Sequence, residues 1–362
     1  LIELSELKQY AKLHIKSQRF KGLDPQQVLN SIYREPTHDG EDDGAWDLIW
    51  IKAAKQSLKN GHVSDAIQCY NFARFPYPET DAQKKASQEL VRTFENHYCD
   101  ENVKKHTIYV QGKSLSFYTA NLDQSKPCLL VLGGIVSIKE QWSVFLKAGK
   151  TMGFSVVVTE FPGVGENYLT FHESSHQMIG KILDYLARQA DVENTFIVGM
   201  SFGGQLAIKQ ALEDPRIKGI TTVGAPINRF YHEYSEATVP LITRRTLSHV
   251  CNLRDDELQN HMKSLALSAK QIQKLIIPLT YIFSARDEII PYSEKQFIKQ
   301  NVSNLKLIEF DDIHGSPNHL EYIQKMIPLS VLKQSGSKNI KLKIILSALL
   351  MIENLKKRVG KK

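Results

Sequence analysis

Cysteine is scarce in this chain. Cys69, Cys99, Cys128 and Cys251 are the only four in 362 residues, and no two stand as a C-x-x-C pair. That spacing argues against a disulfide scaffold and reads as reduced, mostly buried thiols of a cytoplasmic protein. No run of about 18 apolar residues occurs, so no membrane span is expected. The opening stretch LIELSELKQYAKLHIKSQRF is amphipathic and charged throughout, unlike a secretory signal, which again points to a cytoplasmic location. A general cationic field is missing too. The net charge is +7, but residues 333–362 hold nine Lys or Arg and one acid, Glu353, which leaves the rest close to neutral. Nucleic acid is therefore a poorly supported partner. What is present, 42% hydrophobic and 23% charged residues, is ordinary for a globular protein large enough for two structural parts, at about 100–200 residues each.

The most informative stretch is TFIVGMSFGG, residues 195–204. Residues 195–198 read as a short buried strand, Gly199-Met200-Ser201-Phe202-Gly203 spells G-x-S-x-G, and the apolar residues from Gly204 to Ile208 continue as a helix. Strand, tight turn and helix form the context of a nucleophile elbow, in which a serine is raised over the end of a sheet. The helix start directs N–H groups toward the site and favours negative charge developing there.

Residues 1–104 read as a helical N-terminal domain. Trp46, Ile49, Trp50, Ala53, Ala54 and Leu58 recur at helical spacing, as do Val63, Ala66, Ile67, Tyr70 and Ala73, and a third helix covers 81–98. Its bland role is scaffold or dimerisation, its sharper role a cap, and the two are compatible. From 105 to 362 short apolar strands alternate with helices. A hairpin is expected over 107–111 and 114–119, then strands over 128–132, 155–159, 195–198, 219–223, 279–283 and 305–310, with helices over 141–152 and 176–189 between them. This rhythm predicts the α/β-hydrolase fold, a mostly parallel sheet with helices on both faces. Residues 226–274 interrupt it with helical sequence rich in Tyr, His and Arg, read as an inserted lid. Residues 336–362 read as a basic C-terminal helix. Its 340–359 stretch fits membrane-surface contact or, more plainly, packing on the sheet or on a dimer partner.

A serine hydroxyl needs a base to take its proton and an acid to hold that base in one tautomer. In the hydrolase order the acid and then the histidine follow the serine. Asp287, just past a strand end, is the expected acid. His314, after the last strand and before Gly315, is the expected base; His319 lies in the following helix. Asp311 and Asp312 read as loop or capping residues, with either one a candidate support for His314. The backbone N–H groups of Phe202 and Ile135 are the expected oxyanion hole. A competing motif, His172-Glu173-Ser174-Ser175-His176, spells the zinc signature H-E-x-x-H. The Pro and Gly residues just before it, and its look of a helix start, weigh against two ligands on one helical face. No metal and no cofactor is expected, and one of these histidines is a candidate pocket residue.

With those residues in view, the chain resembles a known family. Gly22-Leu23-Asp24-Pro25, GHVSDAIQCYNFARFPYP, GGIVSIKEQW, EFPGVGEN, GMSFGG and TTVGAPI are similar to the α/β-hydrolases related to the fermentation–respiration switch protein. That family includes esterases, 2,6-dihydroxypseudooxynicotine hydrolase and polyketide-shortening hydrolases, the last two cleaving C–C bonds between carbonyls. The resemblance implies a Ser201–Asp287–His314 triad, an N-terminal helical cap and a homodimer. One departure is visible: Val136 precedes Ser137 where family members often carry an acid, which bears on substrate contacts and not on the triad. The expected activity is hydrolysis of a C–C bond in a polyketide-like or aromatic β-dicarbonyl substrate, apolar in character and either free or presented on an acyl carrier protein. A carboxylesterase or thioesterase is the enzymatic alternative, and a non-catalytic binder on a hydrolase scaffold the alternative outside enzymes.

Overall fold

The computed structural model describes residues 2–15, 18, 20–37 and 44–359, with side chains as far as Leu355 in the final helix. The described chain divides into two compact units, one reaching Glu101 and including Pro240–His249, the other Asn102–Val239 with Val250 onward.

The first unit holds α1 (Leu4–Ile15), α2 (Pro25–Ser31), α3 (Trp46–Lys59), α4 (Val63–Arg74) and α5 (Asp81–Tyr98). Its core is aromatic. Trp46 and Trp50 are fully buried; Trp50 stacks on Phe72 with ring centroids 4.7 Å apart, and the Trp46 indole donates to the Phe72 carbonyl at 2.6 Å. Burying side chains of this size contributes about 1.5–3 kcal/mol or more apiece. The α5 start is held by a capping box: Thr80 accepts from the Gln83 N–H while Gln83 accepts from the Thr80 N–H.

The second unit is built on eight strands: β1 (Val103–Val110), β2 (Lys113–Ala120), β3 (Pro127–Leu132), β4 (Ser155–Thr159), β5 (Asp191–Met200), β6 (Ile217–Val223), β7 (Leu279–Ser284) and β8 (Leu305–Phe310). Their spatial order is β1-β2-β4-β3-β5-β6-β7-β8. β1–β2 and β2–β4 pair antiparallel, and every other pair is parallel. β3 and β4 are almost continuously buried, as a strand covered on both faces must be. The covering helices are α6 (Ser143–Met152), α7 (Gln177–Leu186), α8 (Phe202–Glu213), α13 (Tyr292–Asn301) and α14 (Leu320–Gln334); α9 (Arg229–Glu233), α10 (Leu241–Cys251), α11 (Asp255–Leu265) and α12 (Ala269–Ile272) lie between β6 and β7, and α15 (Ile340–Val359) follows α14. This is the α/β-hydrolase fold that the alternation of strands and helices predicts.

The departures are local. β1 begins four residues before the expected hairpin, because Lys104 and Lys105 lie on an edge strand whose exposed face gives no apolar signal. The helix expected over 141–152 divides into a 3-10 turn, Lys139–Trp142, and α6. The helix expected over 176–189 is shorter, with His176 as its cap. Of the segment 226–274, residues 240–249 cluster with the N-terminal helices rather than with the sheet.

The strand register aligns the carboxyl ends. Leu132 pairs with both Thr159 and Gly199, Met200 with Val223, Val223 with Ile282, and Ser284 with Phe310. The loops that follow these residues therefore open on one edge, where open α/β sheets bind ligands.

Candidate active site

Ser201 sits between the last residue of β5 and the first of α8, with φ 51° and ψ −127°. A non-glycine residue at positive φ is strained, and the surroundings hold it there: the Ser201 N–H donates to the Val223 carbonyl at 2.7 Å, and its own carbonyl accepts from Gly204 N–H at 2.9 Å. The turn closes only because its flanks lack side chains. A Cβ on Gly199 would lie 2.6 Å from the Cα of Gly204, and one on Gly203 would lie 2.4 Å from the Gly133 carbonyl oxygen.

The serine hydroxyl lies 2.9 Å from His314 Nε2. The other ring nitrogen, Nδ1, is 2.9 Å from both carboxylate oxygens of Asp287, so Nδ1 carries the proton and Nε2 is free to accept from Ser201. Asp287 is itself fixed, since its Oδ1 accepts from the N–H groups of Ile289 and Ile290 at 2.9 and 2.8 Å. Its side chain is fully buried and that of His314 nearly so. Burial opposes charge on the imidazole, but the Asp287 carboxylate and its hydrogen bond, then Glu288, outweigh it and raise the His314 pKa above its ordinary value. Buried thiols offer no rival nucleophile here: burial pushes Cys128 and Cys251 up to about 12.

The loop after β3 comes against the serine. A Cβ on Gly134 would lie 3.0 Å from Ser201 Cβ and 3.4 Å from its Oγ, which sets the Gly133-Gly134-Ile135 backbone beside the hydroxyl. Phe202, fully buried, is the first residue of α8, where an N–H has no carbonyl within the helix to serve.

A buried charge cluster anchors that loop four residues on. The Lys139 backbone donates to Glu160 Oε2 at 3.0 Å and its ammonium to Glu160 Oε1 at 3.1 Å and Glu166 Oε2 at 2.7 Å, with Glu140 at 3.0 Å. Lys139 and Glu160 side chains have no exposed surface. Burial penalises the lysine charge, but Glu140, Glu160 and Glu166 together hold it protonated. Burial raises the Glu160 carboxyl above the usual carboxylate range, Lys139 draws it back and Glu140 raises it again, for a net rise.

Ser201, Asp287 and His314, expected from separate strand ends, are thus brought together, with Phe202 next in the chain after the serine and Gly134, the residue before Ile135, against it. Asp311 and Asp312 do not reach the His314 ring. Asp311 pairs with Arg286, and Asp312 accepts from Ile313, Asn318 and His319, bracing the turn that carries His314. Glu288, which sequence reasoning missed, accepts from the His314 N–H at 3.0 Å; an exposed acid beside another acid carries no distinguishing signal. Lys139 was missed likewise, since a lysine in KEQW reads as a surface residue. The H-E-x-x-H residues lie in a turn before α7. His172 Nδ1 accepts from the Ser174 N–H, and His176 Nε2 meets Glu213 at 2.9 Å. Among the described residues no group of three His, Cys, Asp or Glu side chains is arranged to hold a metal ion.

No protein-family model and no curated protein matches the chain. Solved structures do. The wild-type AbyA5 structure is 32% identical over 96% of this chain and 99% of its own, with a TM-score of 0.91. A second AbyA5 structure is 31% identical over 90% of this chain and 98% of its own, with a TM-score of 0.84. The 2,6-dihydroxy-pseudo-oxynicotine hydrolase shares the fold at 17% identity, covering 96% of this chain and 94% of its own with a TM-score of 0.65. The chain belongs to the α/β-hydrolase family that includes AbyA5, the family related to the fermentation–respiration switch protein.

Proposed function

We propose that the protein is a serine-triad hydrolase that cleaves a C–C bond between two carbonyls through an acyl-enzyme, acting on an apolar, polyketide-like or aromatic β-dicarbonyl substrate. The observation that carries this reading is the hydrogen-bond chain from Ser201 Oγ through His314 to Asp287. Ser201 adds to the carbonyl carbon as its proton passes to His314 Nε2, and Asp287 stabilises the imidazolium that results. The N–H groups of Phe202 and Ile135 receive the oxyanion; donors of this kind are worth about 3–4 kcal/mol of transition-state stabilisation each. The tetrahedral adduct then expels its leaving group. With a second carbonyl β to the first, the departing carbon is an enolate, which takes the proton from His314 Nε2. Water, deprotonated by the same nitrogen, adds to the acyl-enzyme and releases an acid and free Ser201. The β-dicarbonyl preference rests on the family resemblance, in which C–C hydrolases recur, and on a body with little net charge. The 2,6-dihydroxy-pseudo-oxynicotine hydrolase shares this fold.

The test is product analysis by mass spectrometry, with the purified protein and a Ser201→Ala variant each given a β-diketone and a simple aryl ester. Ser201-dependent conversion of the diketone into an acid and a ketone is the expected result. Ester turnover with the diketone untouched would make the enzyme an esterase.

A further inference from the structure

α15 meets its packing needs on one side and leaves a second apolar side over. Leu342, Leu346 and Leu350 form the inner stripe, from half-buried to fully buried, on a helix that packs against α14. One such stripe is what a helix on a globular surface requires. Yet Ile340, Ile344, Ile345, Met351, Ile352 and Leu355 are all exposed, Ile344 to 63% and Met351 to 66%. At 3.6 residues per turn these six fall within about 140° of arc, a continuous outward face. Single exposed apolar residues are common; a contiguous patch marks something that binds there.

Charge says what kind of surface that is. Residues 333–362 carry nine Lys or Arg and one acid. That acid, Glu353, is turned inward, where its carboxylate takes the Lys325 ammonium at 3.2 Å. The helix sequence therefore offers cations with no other carboxylate among them: exposed Lys341 within the apolar arc, half-buried Lys343 at its flank, and Lys356, Lys357 and Arg358 further along in sequence. A second copy laid on this face would set cations against cations in either orientation. An antiparallel pair brings Lys341 and Lys343 toward the partner's Lys356–Arg358 end, and a parallel pair brings like ends together. A lipid surface carrying negative headgroups suits both features, since the apolar face enters the acyl boundary while the lysines meet phosphates. The helix is not a span: no described helix is long and apolar enough to cross a membrane.

We propose that α15 is an interfacial anchor that lays its outward apolar face into a membrane surface bearing anionic lipids, a property independent of the Ser201 chemistry. The test is co-sedimentation of the full chain with phosphatidylcholine vesicles, with and without about a third phosphatidylglycerol, at low and high salt. Binding to the anionic vesicles should be at least about tenfold tighter and should weaken with salt. Ile344→Asn with Ile352→Asn, both exposed positions, should abolish binding with circular dichroism and gel-filtration volume unchanged. Lys341→Gln with Lys343→Gln should weaken it on anionic vesicles only. Absence of vesicle binding, or equal binding to neutral vesicles, overturns the proposal. So does a dimer dispersed by the isoleucine substitutions in a protein that ignores vesicles, which would assign the face to a second copy. Binding to polyglutamate without binding to vesicles would assign it to an acidic protein instead.

Discussion

Glu288 accepts the backbone N–H of His314 at 3.0 Å, so the loop bearing the imidazole is tied to the loop bearing its acid, Asp287. This contact also bears on charge. Asp287 and then Glu288 raise the His314 pKa above the ordinary histidine value of 6.5, against the effect of burial. A general base must be neutral, so kcat/KM should rise with pH through an apparent pKa above 6.5 and fall away on the acid side. Glu288→Gln should move that limb to lower pH. A pH–rate profile checks both; an acid limb unchanged by the substitution would remove Glu288 from the account.

His314 and His319 lie five residues apart, but only His314 reaches Ser201. His319 gives Nδ1 to the buried Asp312 at 2.7 Å and stacks on Phe310 with centroids 4.3 Å apart. His314→Gln should cost about 10⁴-fold or more in kcat, while His319→Gln should cost a few-fold at most and act mainly on thermal stability. Steady-state kinetics and a melting curve on both variants separate the two roles.

The reach of the sequence can be judged from these residues. The elbow was legible because a β-strand, a glycine-flanked turn and a helix are all local patterns, and β4 and β8 keep the bounds expected from short apolar runs. Asp287 and His314 were legible because each comes within four residues of a strand end, which restricts where a loop residue can stand. The Lys139–Glu160 pair was not, because charged residues read as surface until a tertiary fold closes over them, and Glu288 was not, because an exposed acid shows its backbone partner only once the His314 loop folds against it. The early start of β1 and the separate clustering of residues 240–249 likewise depend on neighbours distant in sequence.

Gly203 keeps the elbow and the β3 loop in contact. A methyl group there would sit 2.4 Å from the Gly133 oxygen and 3.1 Å from Leu132 Cγ, so Gly203→Ala must push the Gly133–Ile135 backbone away. The expected result is a fall in kcat of about 10²–10³-fold, the effect of losing one oxyanion donor. Overpacking should lower stability by about 1–3 kcal/mol. Normal turnover in the folded variant would show that the loop donates nothing to the oxyanion.

Lys139→Met leaves Glu160, and with it Glu140, buried beside no cation. Breaking a buried pair from one side costs about 3–5 kcal/mol, and urea denaturation should show a loss of that order. Adding Glu160→Gln should recover part of it by removing one of the stranded charges. A loss below about 1 kcal/mol would mean that water reaches the cluster.

The most direct test of the central claim is to treat the protein with a serine-directed fluorophosphonate, locate the label by peptide mapping, and follow turnover alongside. A triad built on Ser201 should give one label per chain, on Ser201, with activity lost in proportion, and neither label nor turnover in Ser201→Ala. Turnover that survives in Ser201→Ala, or inactivation with the label on another residue, would contradict it.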